Sequence, residues 1–249
     1  MSQPQQDGFE WRSNATHHQA QEKMGMLAGY YEWVLDLFGG VPPSPVADAG
    51  AGSGHLAGLL AGRVGKLVLL EGGQENLATL RERFAGRDDV VVEDVDLTTC
   101  EPVLAQHGVR SIVSLDVLEH LPDDLAVLRQ FHSALAPGGK VYIKVPALQW
   151  LYGPVDEASG HFRRYSRGAL RKVLQSAGFE VEQCRYMNMA AVPSYFLKSR
   201  ILKKQSNFSH TFSAEQIRKI ERLIPTIRKI DRVLGPPLGL SVVAVGAKR

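Results

Sequence analysis

A short glycine-rich loop has the clearest potential for ligand binding in this sequence of 249 residues. The loop alternates three glycines, Gly50, Gly52 and Gly54, between a short apolar run and a helical segment. Asp48 stands two residues before the first glycine, and Ala51 lies between the first two. Glycine lets the chain turn sharply, and its missing side chain lets a ligand approach the backbone. The N–H groups that open the following helix favour a negatively charged group. We therefore predict that the backbone amides of this loop bind a ligand, although a tight turn without a ligand is the alternative.

A carboxylate follows the next apolar run. Glu71 and Gly72 come directly after Lys66–Leu70, with Glu71 17 residues beyond Gly54. A carboxylate placed there accepts hydrogen bonds from ribose hydroxyls in nucleotide-binding folds. Residues 52–57 also fit the dinucleotide fingerprint G-x-G-x-x-G/A. Because NAD and S-adenosylmethionine both contain an adenosine ribose, these residues predict nucleoside binding without separating the two cofactors.

More acidic side chains follow at the ends of later apolar runs. Asp94 and Asp116 each close one such run, and Glu119 stands three residues after Asp116. An acidic wall suits a cationic cofactor. Tyr30 and Tyr31 in the first helical segment are candidates to contact a cation with their aromatic faces, although aromatic residues at helical spacing also serve as core.

A second group of chemically capable residues lies in the segment DEASGHFRRY, which begins at residue 156. Histidine titrates near neutrality, so His161 could act as a general base. Tyr165 could orient a substrate atom, and Arg163 and Arg164 could hold an anionic group by forked hydrogen bonds. The alternative is that the histidine and the arginines pin this loop to the two acidic residues that open it. For the earlier His120 we expect a structural role.

The elements that position these residues alternate between strands and helices. Such alternation predicts a Rossmann-like, doubly wound, mostly parallel seven-stranded α/β sheet with helices on both faces. Ligands bind such sheets at the carboxyl ends of the strands, where the glycine loop and the acidic residues fall. The predicted strands are Val46–Ala49, Lys66–Leu70, Val90–Glu93, Ser111–Leu115, Lys140–Val145, Phe179–Arg185 and Ser241–Val245.

The chain is expected to form a single domain. Its predicted parts are a mobile arm over residues 1–20, an N-terminal helix over 21–40, a cofactor-binding core over 46–185, a helical insertion or lid over 186–240 and a last strand over 241–249.

The insertion contains a predicted basic amphipathic helix over residues 213–234. Ser213 opens a capping box, and Pro225 should kink the helix. Three roles are open: a lid or wall over the substrate cavity, a dimer surface, or a peripheral contact with an anionic membrane. We expect a monomer or a homodimer.

Charge is distributed unevenly along the chain. Residues 1–161 carry 11 Lys and Arg against 21 Asp and Glu, whereas residues 162–249 carry 18 against 5. This asymmetry indicates either that the C-terminal part meets an anionic partner or that the two parts attract one another.

The remaining composition limits the function classes. No apolar run reaches the roughly 18–20 residues of a transmembrane helix, and the polar N-terminus has no signal core, so we expect a cytoplasmic enzyme. No nucleic-acid-binding module is recognisable, so we expect no nucleic-acid partner. Cys100 and Cys184 fit neither a close metal spacing nor a disulfide framework, and we expect no metal.

Five segments between residues 46 and 146 resemble, in order, the motifs of class I S-adenosylmethionine-dependent methyltransferases. They are DAGAGSG, LVLLEGG, EDVDLT, SIVSLDVLEHLPDD and LAPGGKVYIKVP. The later GHFRRY is similar to a segment of bacterial small-molecule members of this class. The resemblance implies that Glu71 and Gly72 bind the ribose, that Asp94 and Val95 lie near the adenine, and that Asp116 and Val117 lie beside the cofactor. It also assigns Asp48, Gly50, Ala51, Gly52 and Gly54 to the first cofactor-binding motif.

This resemblance implies methyl transfer from S-adenosylmethionine to an oxygen or nitrogen of a small metabolite, with S-adenosylhomocysteine as the product. His161, Tyr165 and Arg164 are the candidate catalytic residues, and the paired arginines favour an anionic substrate. The reaction is an in-line displacement, so the protein assists chiefly by alignment and electrostatic pre-organisation. Two alternatives are an NAD(P)-dependent oxidoreductase of similar topology, for which no Tyr-x-x-x-Lys segment is evident, and a non-catalytic cofactor-binding protein.

Overall fold

The computed structural model describes residues 27–201 and 214–249. Its seven strands form one sheet in the order β3-β2-β1-β4-β5-β7-β6. Strands β1 to β5 run parallel to one another, and β7 is antiparallel to both of its neighbours. This topology confirms the predicted Rossmann-like, mostly parallel α/β fold. The strands are β1 (Val46–Ala49), β2 (Leu67–Glu71), β3 (Val90–Asp94), β4 (Ser111–Leu115), β5 (Lys140–Pro146), β6 (Glu180–Met187) and β7 (Ser241–Ala247).

Nine α-helices in the described residues cover the sheet. They are α1 (Ala28–Leu37), α2 (His55–Leu60), α3 (Gln74–Arg83), α4 (Glu101–Gln106), α5 (Asp124–Ala134), α6 (Pro154–Ala158), α7 (Arg167–Ser176), α8 (Val192–Phe196) and α9 (Ala214–Leu234). Residues of α4, α5 and α7 belong to one buried apolar cluster, and residues of α1, α2, α3 and α9 belong to a second. The helices therefore form one layer on each face of the sheet.

The central strands are apolar because both of their faces are covered. All four residues of β1 and all five of β2 are buried. Side chains of a strand point alternately to opposite faces. In β5, accordingly, Val141 and Ile143 join the first cluster, whereas Tyr142 joins the second. A near-continuous apolar run is thus the expected signature of these strands.

Polar caps fix where two of the helices begin. The Asp123 carboxylate accepts the N–H of Ala126 at 2.9 Å at the start of α5. The Ser166 hydroxyl accepts the N–H of Ala169 at 3.1 Å and so starts α7. These side chains satisfy N–H groups that have no partner within the helix. Ser166 also ends the loop that contains His161, so its cap fixes where that loop gives way to α7.

The insertion packs against the first helix. Ile217 and Ile224 of α9 are buried in the second cluster, and Glu221 accepts the N–H of Gly29 in α1 at 2.6 Å. The helix continues as one element through Pro225. Strand β6 extends to Met187, so the insertion begins later than predicted.

Several predictions concern residues outside the described ranges. They are the mobile arm over 1–20, the start of the N-terminal helix before residue 27 and the capping box at Ser213. Of the predicted helix over 21–40, the described part is α1. Across residues 27–201 and 214–249, each helix is too short or too polar to cross a lipid bilayer.

Candidate active site

The glycine loop joins β1 to α2 at the carboxyl edge of the sheet. Gly50, Gly52 and Gly54 all adopt positive φ angles, of +81°, +56° and +80°. A Cβ on Gly50 would lie 2.6 Å from Cγ2 of Val117. Glycine is therefore required at this position both by the turn and by contact with the segment that follows β4.

The amides of this loop mostly hold the loop itself. Gly50 and Ala51 donate their N–H groups to the carbonyl of Leu70, at 2.9 and 3.1 Å. Gly54 donates to the carbonyl of Ala51, and Gly52 to Oε2 of Glu71 at 2.8 Å. The prediction that the loop offers its amides to a ligand is therefore not met at these four positions. A tight buried turn satisfies its own backbone first.

Glu71 at the end of β2 anchors the loop and keeps capacity for a ligand. Its Oε1 accepts the N–H groups of Gly72 and Gly73 at 3.0 and 2.8 Å, and its Oε2 accepts that of Gly52. Each carboxylate oxygen has two lone pairs, so Oε2 retains one. This arrangement fits the expected hydrogen bond to a ribose hydroxyl.

Asp48 is a buried acid without a complete set of partners. Its residue exposure is 3%, and Oδ2 has no hydrogen-bond partner among the described residues. Burial, and then the neighbouring charge of Glu71, raise the pKa of Asp48 to about 7. Buried polar atoms normally have partners. An unsatisfied carboxylate oxygen at this edge fits a cofactor that carries hydrogen-bond donors and positive charge.

Asp94 and Val95 lie beside Glu71, as the motif order predicts. Asp94 is opposite Glu71 in the β2–β3 register, and the N–H of Val95 donates to the carbonyl of Glu71 at 3.0 Å. The Asp94 side chain is exposed and accepts a hydrogen bond from Gln74 at 3.1 Å. Its carboxylate is therefore accessible at the rim of the edge.

Asp116 forms an ion pair that the sequence analysis did not identify. It follows β4 with a positive φ of +54°, unusual for a residue other than glycine, and its carboxylate binds the ammonium of Lys144. Lys144 is only 5% exposed. Burial lowers the pKa of Lys144, but Asp116 and Tyr30 outweigh it and the net shift is upward. A lysine inside the otherwise apolar β5 was the signal for this pair.

Helix α1 brings the two candidate tyrosines to this edge. The ring centroid of Tyr30 lies 5.2 Å from the Lys144 ammonium. Burial, followed by the charge of Asp116, raises the pKa of Tyr31. Both tyrosines therefore lie near the Asp116–Lys144 pair, and the phenol group of Tyr31 is expected to remain neutral.

The loop after β5 is organised around Asp156, which is fully buried. One carboxylate oxygen accepts hydrogen bonds from Nδ1 of His161 at 2.8 Å and from Nε of Arg164 at 2.7 Å. The other accepts from the hydroxyl of Tyr195 at 3.0 Å and from the N–H of Gly153 at 3.1 Å. Burial raises the pKa of Asp156, but His161 and Arg164 more than offset it and lower the pKa overall.

The other ring nitrogen of His161 faces a second buried acid. Nε2 of His161 lies 4.0 Å from Oε1 of Glu119, and the rings of His161 and His120 meet edge to face with centroids 4.7 Å apart. Glu119 is fully buried, and neither of its carboxylate oxygens has a partner among the described residues. Burial, and next the charge of Asp116, raise the pKa of Glu119 well above its usual range. Glu119 therefore connects the cofactor edge with the histidine loop.

These three residues also have metal-ligand geometry. Glu119, His120 and His161 each place one ligand atom within 4.8 Å of the others. A carboxylate and two imidazoles suit a divalent transition metal. The same arrangement also suits proton transfer without a metal, so the expectation that no metal is required stays a prediction.

Two of the three candidate catalytic residues have internal partners instead. Arg164 is buried, bonds to Asp156 and to the carbonyl of Ala147, and stacks on Tyr195. The hydroxyl of Tyr165 donates to Asp124 at 2.6 Å, and the side chain is buried. The structure therefore favours the interpretation in which these side chains pin the loop.

Arg163 follows the same pattern as its neighbour. It donates to the carbonyl of Pro122 at 2.7 Å and pairs with Asp124 at 3.1 Å. Neither arginine is left to bind an anionic substrate, because internal acidic groups already occupy both guanidinium groups.

A family model described as a methyltransferase domain matches residues 17–184, about two thirds of the chain. The chain belongs to this methyltransferase family. The match covers the glycine loop, the acidic residues at three strand ends (Glu71, Asp94 and Asp116) and the His161 loop. Its residue range also contains each of the five segments whose order indicated class I S-adenosylmethionine-dependent methyltransferases.

Individual proteins agree with this assignment. The methyltransferase is 26% identical over 118 residues to the ubiquinone biosynthesis O-methyltransferase of Aeromonas salmonicida, covering 45% of this chain and 47% of that protein. It is 31% identical over 112 residues to the protein of the same name from Sodalis glossinidius, covering 45% of each. The chain thus spans about half the length of the curated relatives it matches.

A solved structure supports the fold. A methyltransferase of Haloferax volcanii, solved with the Trm112 methyltransferase activator, superimposes with a TM-score of 0.57 at 16% identity, covering 94% of this chain and 98% of that one. Family and fold together identify a class I domain whose cofactor is S-adenosylmethionine. This assignment replaces the alternative of an NAD(P)-dependent oxidoreductase.

Proposed function

We propose that this methyltransferase transfers a methyl group to an oxygen or nitrogen of a small metabolite, and that a hydroxyl group is the preferred acceptor. The Asp156–His161 pair carries the proposal. A hydroxyl nucleophile must lose its proton, whereas an amine that is already deprotonated needs no base. An imidazole held by a buried carboxylate at the reacting edge has the properties of such a base.

Residues of the cofactor edge have separate tasks. Bound S-adenosylmethionine supplies an electrophilic methyl group on a sulfonium centre. Glu71 accepts a hydrogen bond from the ribose, and Asp94 contacts the adenine end. Asp48 contributes negative charge close to Glu71, which suits a cationic ligand. The Lys144 ammonium neutralises Asp116 and fixes its orientation.

His161 removes the acceptor proton in this mechanism. Asp156 is ionised, so it holds the proton of His161 on Nδ1 and leaves the lone pair of Nε2 for the substrate. With substrate and cofactor bound, the acceptor O–H bond would break and its proton would move to Nε2. The oxygen would take the methyl group as the bond between that group and the sulfonium sulfur breaks, with S-adenosylhomocysteine as the leaving group. Burial and the charge of Asp116 raise the pKa of Glu119, which favours its neutral form beside the imidazole of His161.

The names of the curated relatives support an oxygen acceptor on a small molecule. The expectation of an anionic substrate is not retained in the proposal, because Arg163 and Arg164 bind internal groups. Two aromatic side chains are exposed here: Phe162, within the loop, is 43% exposed, and Trp150, shortly before it in sequence, is 51% exposed. They favour an apolar or aromatic substrate.

Helix α9 contributes to the proposed substrate wall through α1. It binds Gly29 by Glu221, and α1 in turn carries Tyr30 and Tyr31. The alternatives of a homodimer surface and a peripheral membrane contact remain proposals. Exposed Leu223, Ile230 and Leu234 on the outer side of α9 support either of them. We also propose a cytoplasmic location.

A direct test is methyl transfer from labelled S-adenosylmethionine to a matched panel of phenols, catechols, hydroxy sugars and primary amines. We expect label in at least one hydroxylated small molecule, with a rate that falls as pH is lowered through the range in which histidine is protonated. Transfer to amines alone would contradict the preference for hydroxyl acceptors. A non-catalytic binding protein would bind the cofactor and label none of the panel.

A further inference from the structure

A cavity of about 330 Å³ opens at the far edge of the sheet, away from the glycine loop. It lies along β6, which is four strands from the glycine-loop strand β1, or about 19 Å at the usual strand spacing. Its floor contains the buried side chains of Trp33, Tyr186 and Met187. None of the cofactor-edge residues or the Asp156–His161 pair lines it.

Helix α1 separates this cavity from the cofactor edge. Tyr30 near its start contacts Lys144, whereas Asp36 and Leu37 at its end line the cavity. Six residues of α-helix advance by about 9 Å. The cavity is therefore distinct from the site of methyl transfer.

Three arginines with uncommitted charge surround the opening. In the described part of the chain, Arg167, Arg185 and Arg232 form no ion pair. Arg167 stacks over the ring of Tyr186 at 5.0 Å, and Arg185 donates to the carbonyl of Leu37 at 2.8 Å. These contacts orient the guanidinium groups and leave their charge unneutralised.

Acidic side chains in the cavity do not cancel this charge. Asp36 is paired with a fourth arginine, Arg228. Asp231 is 6% exposed and accepts the N–H of Asn188 at 2.5 Å. Two aspartates thus face four arginines, so the cavity is positively charged.

We propose that this arginine-rimmed cavity binds a phosphate-bearing small molecule. Arginine binds phosphate by paired, forked hydrogen bonds. Three guanidinium groups offer more hydrogen-bond donors and more charge than a ligand with a single carboxylate would require. The volume lies at the lower end of the range for small-molecule sites. The aromatic floor formed by Trp33 and Tyr186 would hold the apolar part of the ligand. The phosphate belongs either to a soluble metabolite or to a lipid headgroup, and the recognising chemistry is the same.

Calorimetric titration with pyrophosphate tests the proposal. The protein is first saturated with S-adenosylhomocysteine, and ionic strength is held constant because exposed charges respond to salt. We expect saturable binding that weakens at least about tenfold in Arg167→Gln and in Arg232→Gln, since each removes charge-assisted hydrogen bonds. Arg222→Gln is the matched control, because this exposed arginine of α9 does not line the cavity.

A second arm distinguishes the two sources of phosphate. Co-sedimentation with vesicles of phosphatidic acid in phosphatidylcholine is measured for the same variants. Binding of pyrophosphate that weakens in the two cavity variants but not in Arg222→Gln indicates a soluble ligand. The same pattern seen only for vesicles indicates a lipid headgroup. Absence of saturable binding in both arms, or equal weakening in Arg222→Gln, would overturn the proposal. Melting temperatures matching the wild type confirm that each variant is folded.

Discussion

Asp48 and Asp156 are both buried acids, but their surroundings are opposite. Asp48 has one oxygen without a partner, and its pKa is raised to about 7. Asp156 binds a histidine, an arginine, a tyrosine and a backbone amide, and its pKa is lowered.

This difference indicates that one acid is suited to contact a ligand, whereas the other orients a neighbouring side chain. A buried carboxylate oxygen without a partner is unfavourable unless a ligand supplies one, so we propose that the cofactor completes the surroundings of Asp48. A carboxylate with four partners has little capacity for a ligand. Asp156 instead fixes the geometry of His161, and we propose that the imidazole makes the catalytic contact.

The largest effect is expected at His161, the residue that Asp156 holds in position. His161→Ala should lower the turnover number by about 10²–10⁴-fold, the usual contribution of a general base, while the dissociation constant of S-adenosylhomocysteine changes less than about twofold. Initial rates at saturating cofactor, together with calorimetry, measure the two quantities. His107→Ala is the control, because this histidine pairs with Glu93 outside the loop. Unchanged turnover would remove His161 as the base.

At the cofactor edge, Glu71→Ala should weaken the binding of S-adenosylhomocysteine by roughly 1.5–3 kcal/mol, which raises its dissociation constant about 10- to 150-fold. The substitution removes the proposed ribose contact, one hydrogen bond to Gly52 of the glycine loop, and two hydrogen bonds to Gly72 and Gly73. Calorimetric dissociation constants measure the effect, and Glu75→Ala, an exposed acid of α3, is the matched control. Equal affinity in the Glu71 variant and the wild type would place the ribose elsewhere.

The state of Asp48 should appear in the pH dependence of stability. Its pKa is higher in the folded protein than in the unfolded chain, so its protonated form stabilises the fold. This contribution is complete below the unfolded pKa and is lost as pH rises through about 7. Ligand-free Asp48→Asn should therefore gain at least about 3 °C in melting temperature, relative to the wild type, between about pH 5 and about pH 8. A pH-independent difference would show that Asp48 is ionised throughout.

The smallest expected effect is that of metal removal. If Glu119, His120 and His161 transfer protons without a metal, dialysis against a strong chelator should leave turnover within about 20% of its initial value, since no metal-polarised group takes part. Metal analysis of the dialysed protein is the necessary control. Loss of turnover, restored by one divalent ion, would assign this cluster to a metal instead.

Much of the fold follows from local patterns. The buried strands were predicted to within two residues at almost every end, because strands covered on both faces are short apolar runs. The pattern did not predict that β7 lies antiparallel between β5 and β6, because the strand order depends on a long insertion.

The candidate site was only partly predictable. The glycine loop, Glu71 and Asp116 follow from their positions at the ends of parallel strands. The contact of His161 with Glu119, and the Asp116–Lys144 pair, join residues that are far apart in sequence. The contact of Arg164 with Asp156 agrees with the alternative in which the arginines pin the loop to the acidic residues that open it.

Calorimetric titration with S-adenosylhomocysteine, run beside an identical titration with NAD, tests the central claim most directly. The carboxyl edge formed by Asp48, the glycine loop and Glu71 should give saturable binding of one S-adenosylhomocysteine per chain and no heat of binding with NAD. Saturable binding of NAD together with no binding of S-adenosylhomocysteine would contradict the account.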